Sequence, residues 1–173
     1  MTRRASSALR LADDRIGAEA RAAHDDHLAL RLWLRLLACS TDIEREIRQR
    51  LRARFGITLA RFDYLAQLYR HPDGLRMNAL SRYLMVTGGN ITGLTDELAK
   101  EGYVRRDSDP DDRRSWRVSL TDEGRRAFEQ IAQVHEAWVV ELLSGIDERA
   151  KHQLHDLLGR VRLGLHHEDD DHD

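Results

Sequence analysis

The stretch Leu75–Leu120, LRMNALSRYLMVTGGNITGLTDELAKEGYVRRDSDPDDRRSWRVSL, decides the fold. Its first part places Leu75, Leu80, Leu84 and Met85 on one apolar face of a short helix. The run Val86-Thr87-Gly88-Gly89 then breaks that helix, because glycine accepts the backbone of a sharp turn. A second helix follows, capped by Thr87 or Asn90, with Ile91, Leu94 and Leu98 recurring at helical spacing. Asn90, Thr92, Thr95 and Asp96 stand between them, which predicts a polar, short-chained outer face able to approach base edges and phosphates closely. Gly102 ends this helix, and Tyr103-Val104 and Trp116–Leu120 read as two short strands. Their connection, Arg105–Ser115, sets Asp107, Asp109, Pro110, Asp111 and Asp112 against Arg105, Arg106, Arg113 and Arg114. Helix, turn, helix and basic-tipped hairpin make a winged helix-turn-helix. One helix suits the major groove, and the hairpin tip suits the flanking minor groove.

Outward from this stretch the chain is helical, so the fold class expected is mostly α with a small β-wing. Leu28, Leu32, Leu36, Ile43, Ile47 and Leu51, widened by Trp33 and Leu37, form one long apolar stripe over about Asp26–Phe55. Gly56 stops that helix, and Thr58 caps the next, Leu59–Tyr69, with Phe62, Leu65 and Leu68 inward. His71-Pro72-Asp73-Gly74 is a turn. Beyond the wing, Thr121 caps a helix with Phe128, Ile131, Val134, Trp138 and Leu142 on its stripe. Gly145 breaks it, and Asp147–Leu165 makes a last helix with Leu154, Leu157, Leu158, Val161 and Leu165. The expected organisation is an N-terminal extension over 1–25, flexible or partly helical, then one domain over 26–165 and a disordered acidic tail over 166–173. Within the domain, 26–55 and 121–165 supply long striped helices around the reader at 58–120. One subunit can hardly bury both stripes, so a two-fold homodimer with interdigitating terminal helices is the economical solution.

Composition sets bounds rather than a function. The 173 residues include 41% hydrophobic and 34% charged, with a net charge of −2. A DNA binder with so little net charge must gather its arginines on one face. A lone cysteine, Cys39, excludes an internal disulfide framework and suits a reducing cytoplasm. No apolar run approaches the roughly 18 residues of a membrane span, so no membrane partner is expected.

The runs LSRYLMVTGGNITGLTDELAKEGYVRR and DPDDRRSWRVSLTDEG resemble the MarR family of bacterial transcriptional regulators, and the likeness extends over roughly Asp26–Leu165. The pair Asp112 and Arg114, followed by Val118-Ser119-Leu120-Thr121, is similar to the family's wing, where the arginine enters the minor groove. The resemblance implies a homodimer on a palindromic operator. It also implies a ligand cleft between the dimer helices and the DNA-binding lobe, often taking aromatic acids or their conjugates. The matching positions are Trp33, Leu37, Arg61, Phe62, Tyr64 and Gln67. The runs LARFDYLAQLYRHPDGL and MVTGGNITGL look most like regulators of hydroxycinnamate breakdown that respond to aromatic acyl-CoA thioesters. The family's urate sensors carry an arginine where Leu94 stands here, which disfavours urate.

Candidate DNA contacts are Asn90, Thr92 and Thr95 for bases, with the backbone of Thr87, Gly88 and Gly89 for a phosphate. Arg76, Ser81 and Arg82 suit the phosphate backbone. Arg114, oriented by Asp112, suits the wing tip, with Arg113 its competitor; alternatively these arginines only pair with the neighbouring aspartates. An arginine beside aromatic rings, as at Arg61, can hold a carboxylate while the rings cover an aromatic body. The competing reading makes Trp33, Phe62 and Tyr64 plain core and Arg61 a surface charge. No G-x-S-x-G, P-loop or H-E-x-x-H occurs, so no enzyme and no cofactor are expected. His24 and His27, and likewise His152 and His155, repeat a ligand-like spacing, but no cysteine joins them and no metal is expected. Cys39 among Leu36, Leu37 and Ile43 reads as packed. The function expected is a repressor released from its operator by a small aromatic effector. A metal- or redox-responsive regulator, or a constitutive DNA-binding dimer, is the alternative.

Overall fold

The computed structural model describes residues 28–84, 88–108 and 116–166. In chain order these form α1 (Leu28–Phe55), α2 (Leu59–Arg70), β1 (Leu75–Arg76), α3 (Met77–Tyr83), α4 (Gly88–Lys100), β2 (Val104–Ser108), β3 (Trp116–Leu120), α5 (Asp122–Leu142) and α6 (Glu148–His166). The N-terminal extension and the acidic tail from 167 lie outside the described residues, as does the wing tip at 109–115.

Caps fix several boundaries. The Thr58 hydroxyl accepts from the Arg61 amide at the start of α2, and the Thr121 hydroxyl accepts from the Gly124 amide at the start of α5. Asp147, expected inside the last helix, instead caps α6 by accepting from the Ala150 amide at 2.8 Å. Gly102 closes α4 at φ 81°, a left-handed conformation that a side chain resists.

The sheet has three strands in the order β1-β3-β2, not the two of a simple hairpin. Leu75 does not lie on the α3 helix face. It pairs with Val118, and Arg76 with Arg117, as a short antiparallel strand. Gly74 makes this possible, since at φ 78° any Cβ would stand 2.6 Å from the Val118 carbonyl oxygen. The Gly88-Gly89 pair also differs from expectation, forming the first turn of α4 rather than the turn before it.

The core lies in the reading lobe. Leu51 of α1, Tyr64, Leu65 and Leu68 of α2, Leu80 of α3, Ile91 and Leu98 of α4, and Val104 and Val118 of the sheet are buried together. Phe128 and Ile131 of α5 close it, with Phe128 against Phe62 and Tyr69 at centroid separations of 5.5 and 5.0 Å. The far half of α1 and all of α6 stand apart. Leu28, Leu32, Trp33 and Leu37, and likewise Leu157, Val161 and Leu165, are exposed in the single chain. Cys39, expected to be packed, is exposed on the same stretch of α1.

Candidate nucleic-acid interface

Helix α4 is seated by one face. Ile91, Thr95 and Leu98, spaced by four and three residues, all point into the core, while Gly89, Asn90, Thr92, Gly93, Asp96 and Glu97 are exposed. Thr95 is therefore not on the outer face, contrary to the expectation that it contacts bases. Its hydroxyl lies 2.6 Å from the Ile91 carbonyl oxygen and 2.6 Å from the Tyr64 hydroxyl. A carbonyl can only accept, so Thr95 donates to Ile91 and Tyr64 donates to Thr95. Burial pushes the Tyr64 phenol up to about 12, which keeps it a donor.

Two further ties fix α4. Arg61 of α2 pairs with Glu101 just past the helix end. From the wing, Arg106 of β2 reaches the Asp96 carboxylate at 2.5 Å and donates to the Thr92 carbonyl at 3.4 Å. The outer crest of α4 carries Gly89 and Gly93, where an added Cβ would meet nothing within 4 Å. Asn90 and Thr92 flank this crest on opposite sides. Thr92 shares an open groove of about 510 Å³ with Met77, Asn78, Ser81, Arg82 and Ile91, so α3 and α4 bring Ser81, Arg82 and Thr92 together. Arg76 sits on β1, partly buried. Thr87, Asp112, Arg113 and Arg114 lie outside the described residues.

The six residues expected to line an effector cleft do not converge. Phe62 and Tyr64 are core: Phe62 lies against Phe128 and has its ring centroid 4.5 Å from that of His135, while Tyr64 is tied to Thr95. They lie on the inward face of α2 with Leu65 and Leu68, so packing claims them. Trp33 and Leu37 are exposed on the bare part of α1. Arg61 is occupied by Glu101, with its Nε buried and lacking a hydrogen-bond partner. At Gln67 it is the backbone carbonyl that accepts from His71 Nδ1, at 2.8 Å.

The structure instead opens a groove of about 680 Å³ between α1, the start of α2 and the other flank of α4. Arg48 and Arg52 line it from α1, Leu59 and Asp63 from α2, and Asn90, Gly93, Leu94 and Glu97 from α4. Half-buried Asp63 holds its carboxyl above the usual range, first through burial and then through the nearby Glu44 charge. Sequence reasoning missed Asp63, which shares its face of α2 with Leu59, Gln67 and Arg70 and so reads as an ordinary polar position. Among the described residues, no group of three or more His, Cys, Asp and Glu side chains is placed to hold a metal ion, and His152 and His155 are exposed.

This architecture has close parallels. A sequence model of the MarR family matches residues 55–115. The crystal structure of a MarR family transcriptional regulator from Silicibacter pomeroyi superposes with a TM-score of 0.68 at 32% identity, covering 82% of this chain and 99% of that one. The chain belongs to the MarR family. The HTH-type transcriptional regulator PecS of Dickeya dadantii is 32% identical over 115 residues, 65% of this chain and 69% of PecS. The transcriptional activatory protein BadR of Rhodopseudomonas palustris is 35% identical over 108 residues, and the match spans only 61% of each protein. This MarR protein is accordingly a DNA-binding transcriptional regulator and not an enzyme. Among its described residues, no helix is long and apolar enough to cross a membrane.

Proposed function

We propose that this MarR protein is a homodimeric repressor that binds a palindromic operator and is released by a small aromatic effector, either an aromatic acid or its CoA thioester. The observation that carries the effector reading is that the recognition helix itself forms one wall of the 680 Å³ groove. Whatever fills the groove presses on the reading surface. Arg52 can take a carboxylate or phosphate, Arg48 beside it being paired with Glu44, while Leu59, Leu84, Ile91 and Leu94 can cover a ring. On the operator, Asn90 and Thr92 address bases, the amides of Thr87, Gly88 and Gly89 a phosphate, and Arg76, Ser81 and Arg82 the backbone. Arg114, oriented by Asp112 and seconded by Arg113, enters the minor groove. The exposed apolar faces of α1 and α6 support the dimer, which sets two α4 helices about one DNA turn apart.

An effector shifts operator binding only by its differential affinity for the two states. The test is a thermal-shift screen with benzoates, hydroxycinnamates and their CoA thioesters, followed by operator titration with each hit. One ligand should raise the melting temperature by mass action and weaken operator binding, and Arg52→Ala should blunt both effects. Operator affinity indifferent to every compound would leave a DNA-binding dimer with no aromatic effector.

A further inference from the structure

The outermost described rung of the wing pairs Ser108 with Trp116, and the Trp116 side chain is 54% exposed. Alternate residues of a strand share a face, so Trp116, Val118 and Leu120 of β3 lie on one side of the sheet. Their partners Ser108, Arg106 and Val104 on β2 share that side. Val104 and Val118 show which side it is, since both are buried in the core. Arg106 then leaves the core and reaches across to Asp96 and the Thr92 carbonyl of α4. Moving outward from Val104 to Arg106, the sheet therefore runs along α4 from its C-terminal end toward its middle. Trp116 stands one rung farther out on the same face. This puts the indole in the corner between the recognition helix and the wing, beside the exposed flank carrying Thr92 and Asp96.

A duplex held by a recognition helix and a wing must run its backbone through that corner. We propose that Trp116 packs against the sugar–phosphate backbone of bound DNA there, with its ring over a deoxyribose and its indole N–H donating to a phosphate oxygen. Indole suits such a place because one end is apolar and its only polar group is a donor. The contact carries no base information. It fixes how deeply α4 and the wing tip are seated. It rests on α4 being the DNA-reading surface.

The experiment uses the full chain and duplex operator. Trp116→Ala should weaken binding by about tenfold on operator and on unrelated duplex alike, with the salt slope unchanged because no cation is lost. Trp116→Phe should recover part of the loss, and both variants should melt near the parent. In a Trp33→Phe, Trp138→Phe background, saturating duplex should shield the Trp116 emission from acrylamide. Parental affinity in Trp116→Ala at matched salt, or acrylamide access unchanged by bound DNA, overturns the contact. Arg82→Ala and Thr92→Ala separate it from the parent reading. If both weaken operator binding while Trp116→Ala does not, only the Trp116 contact fails; if neither does, the assigned DNA face fails with it.

Discussion

The reading lobe and the terminal helices draw on the same aliphatic residues and leave them in opposite conditions. In the lobe, Leu51, Leu68, Leu80 and Leu98 are fully buried within one chain. On α6, Leu157, Val161 and Leu165 are 57%, 50% and 70% exposed, at the same kind of helical spacing. Burying such side chains is worth about 1.5–3 kcal/mol each, so exposing a whole stripe forfeits much of what a domain has to spare. A stripe of this length on a helix that touches little of its own lobe marks a surface completed from outside the chain. Under the proposed dimer the two regions divide the work: the lobe specifies the shape that meets DNA, and the helices specify how two lobes are spaced.

The sharpest way to break this division is to charge the bare stripe. Leu157→Asp with Val161→Asp should convert the dimer to a monomer in sedimentation. Operator affinity should fall by roughly a hundredfold or more, because the second half-site loses its effective concentration. The lobe should keep its fold, which circular dichroism can check. A double variant that remains dimeric and binds normally would show that α6 plays no part in pairing.

A smaller effect is expected inside the lobe, where the Tyr64–Thr95 pair ties α4 to α2. Thr95→Val strands the buried Tyr64 hydroxyl and should cost about 1–3 kcal/mol in urea unfolding. Tyr64→Phe leaves Thr95 bonded to the Ile91 carbonyl and should cost about 1 kcal/mol. The double variant should cost less than the sum, as partners in one network do. Strict additivity would mean the two hydroxyls do not cooperate. An operator defect larger than the stability loss would show that the pair also sets the angle at which α4 is presented.

What could be read from the sequence follows the same division. The long helices were legible because apolar period and caps are local signals, as at Thr58 and Thr121. The helix-turn-helix and wing were legible from α4 and the strand Trp116–Leu120. Leu75 was not, because a strand of two residues has no period and owes its state to Val118, 43 positions away. Thr95 was misread by residue type, although its spacing from Ile91 and Leu98 already puts it inward. Phe62 and Tyr64 show the converse. Aromatic residues beside an arginine resemble a ligand site, but the face they share with Leu65 and Leu68 is occupied by packing. The groove at Asp63 depends on α1, α2 and α4 meeting, which no single stretch encodes.

The least effect, and the one that tests how closed the lobe is, concerns His135. Its ring lies against Phe62, and burial holds its pKa below the ordinary 6.5. The folded state then binds a proton less readily than the unfolded chain, so unfolding takes up protons near and below pH 6.5, and stability must rise with pH across that range. The contribution of the neutral ring is complete above the unfolded value and is lost as pH falls through the folded one. His135→Gln removes the titrating group, so its melting temperature should decline less than the parent's on acidification across that window. Because the ring is only half-buried, the difference in slope should be modest. Parallel declines would mean that the imidazole reaches water freely, and that the lobe is open at α5 in a way that none of its aliphatic contacts reveals.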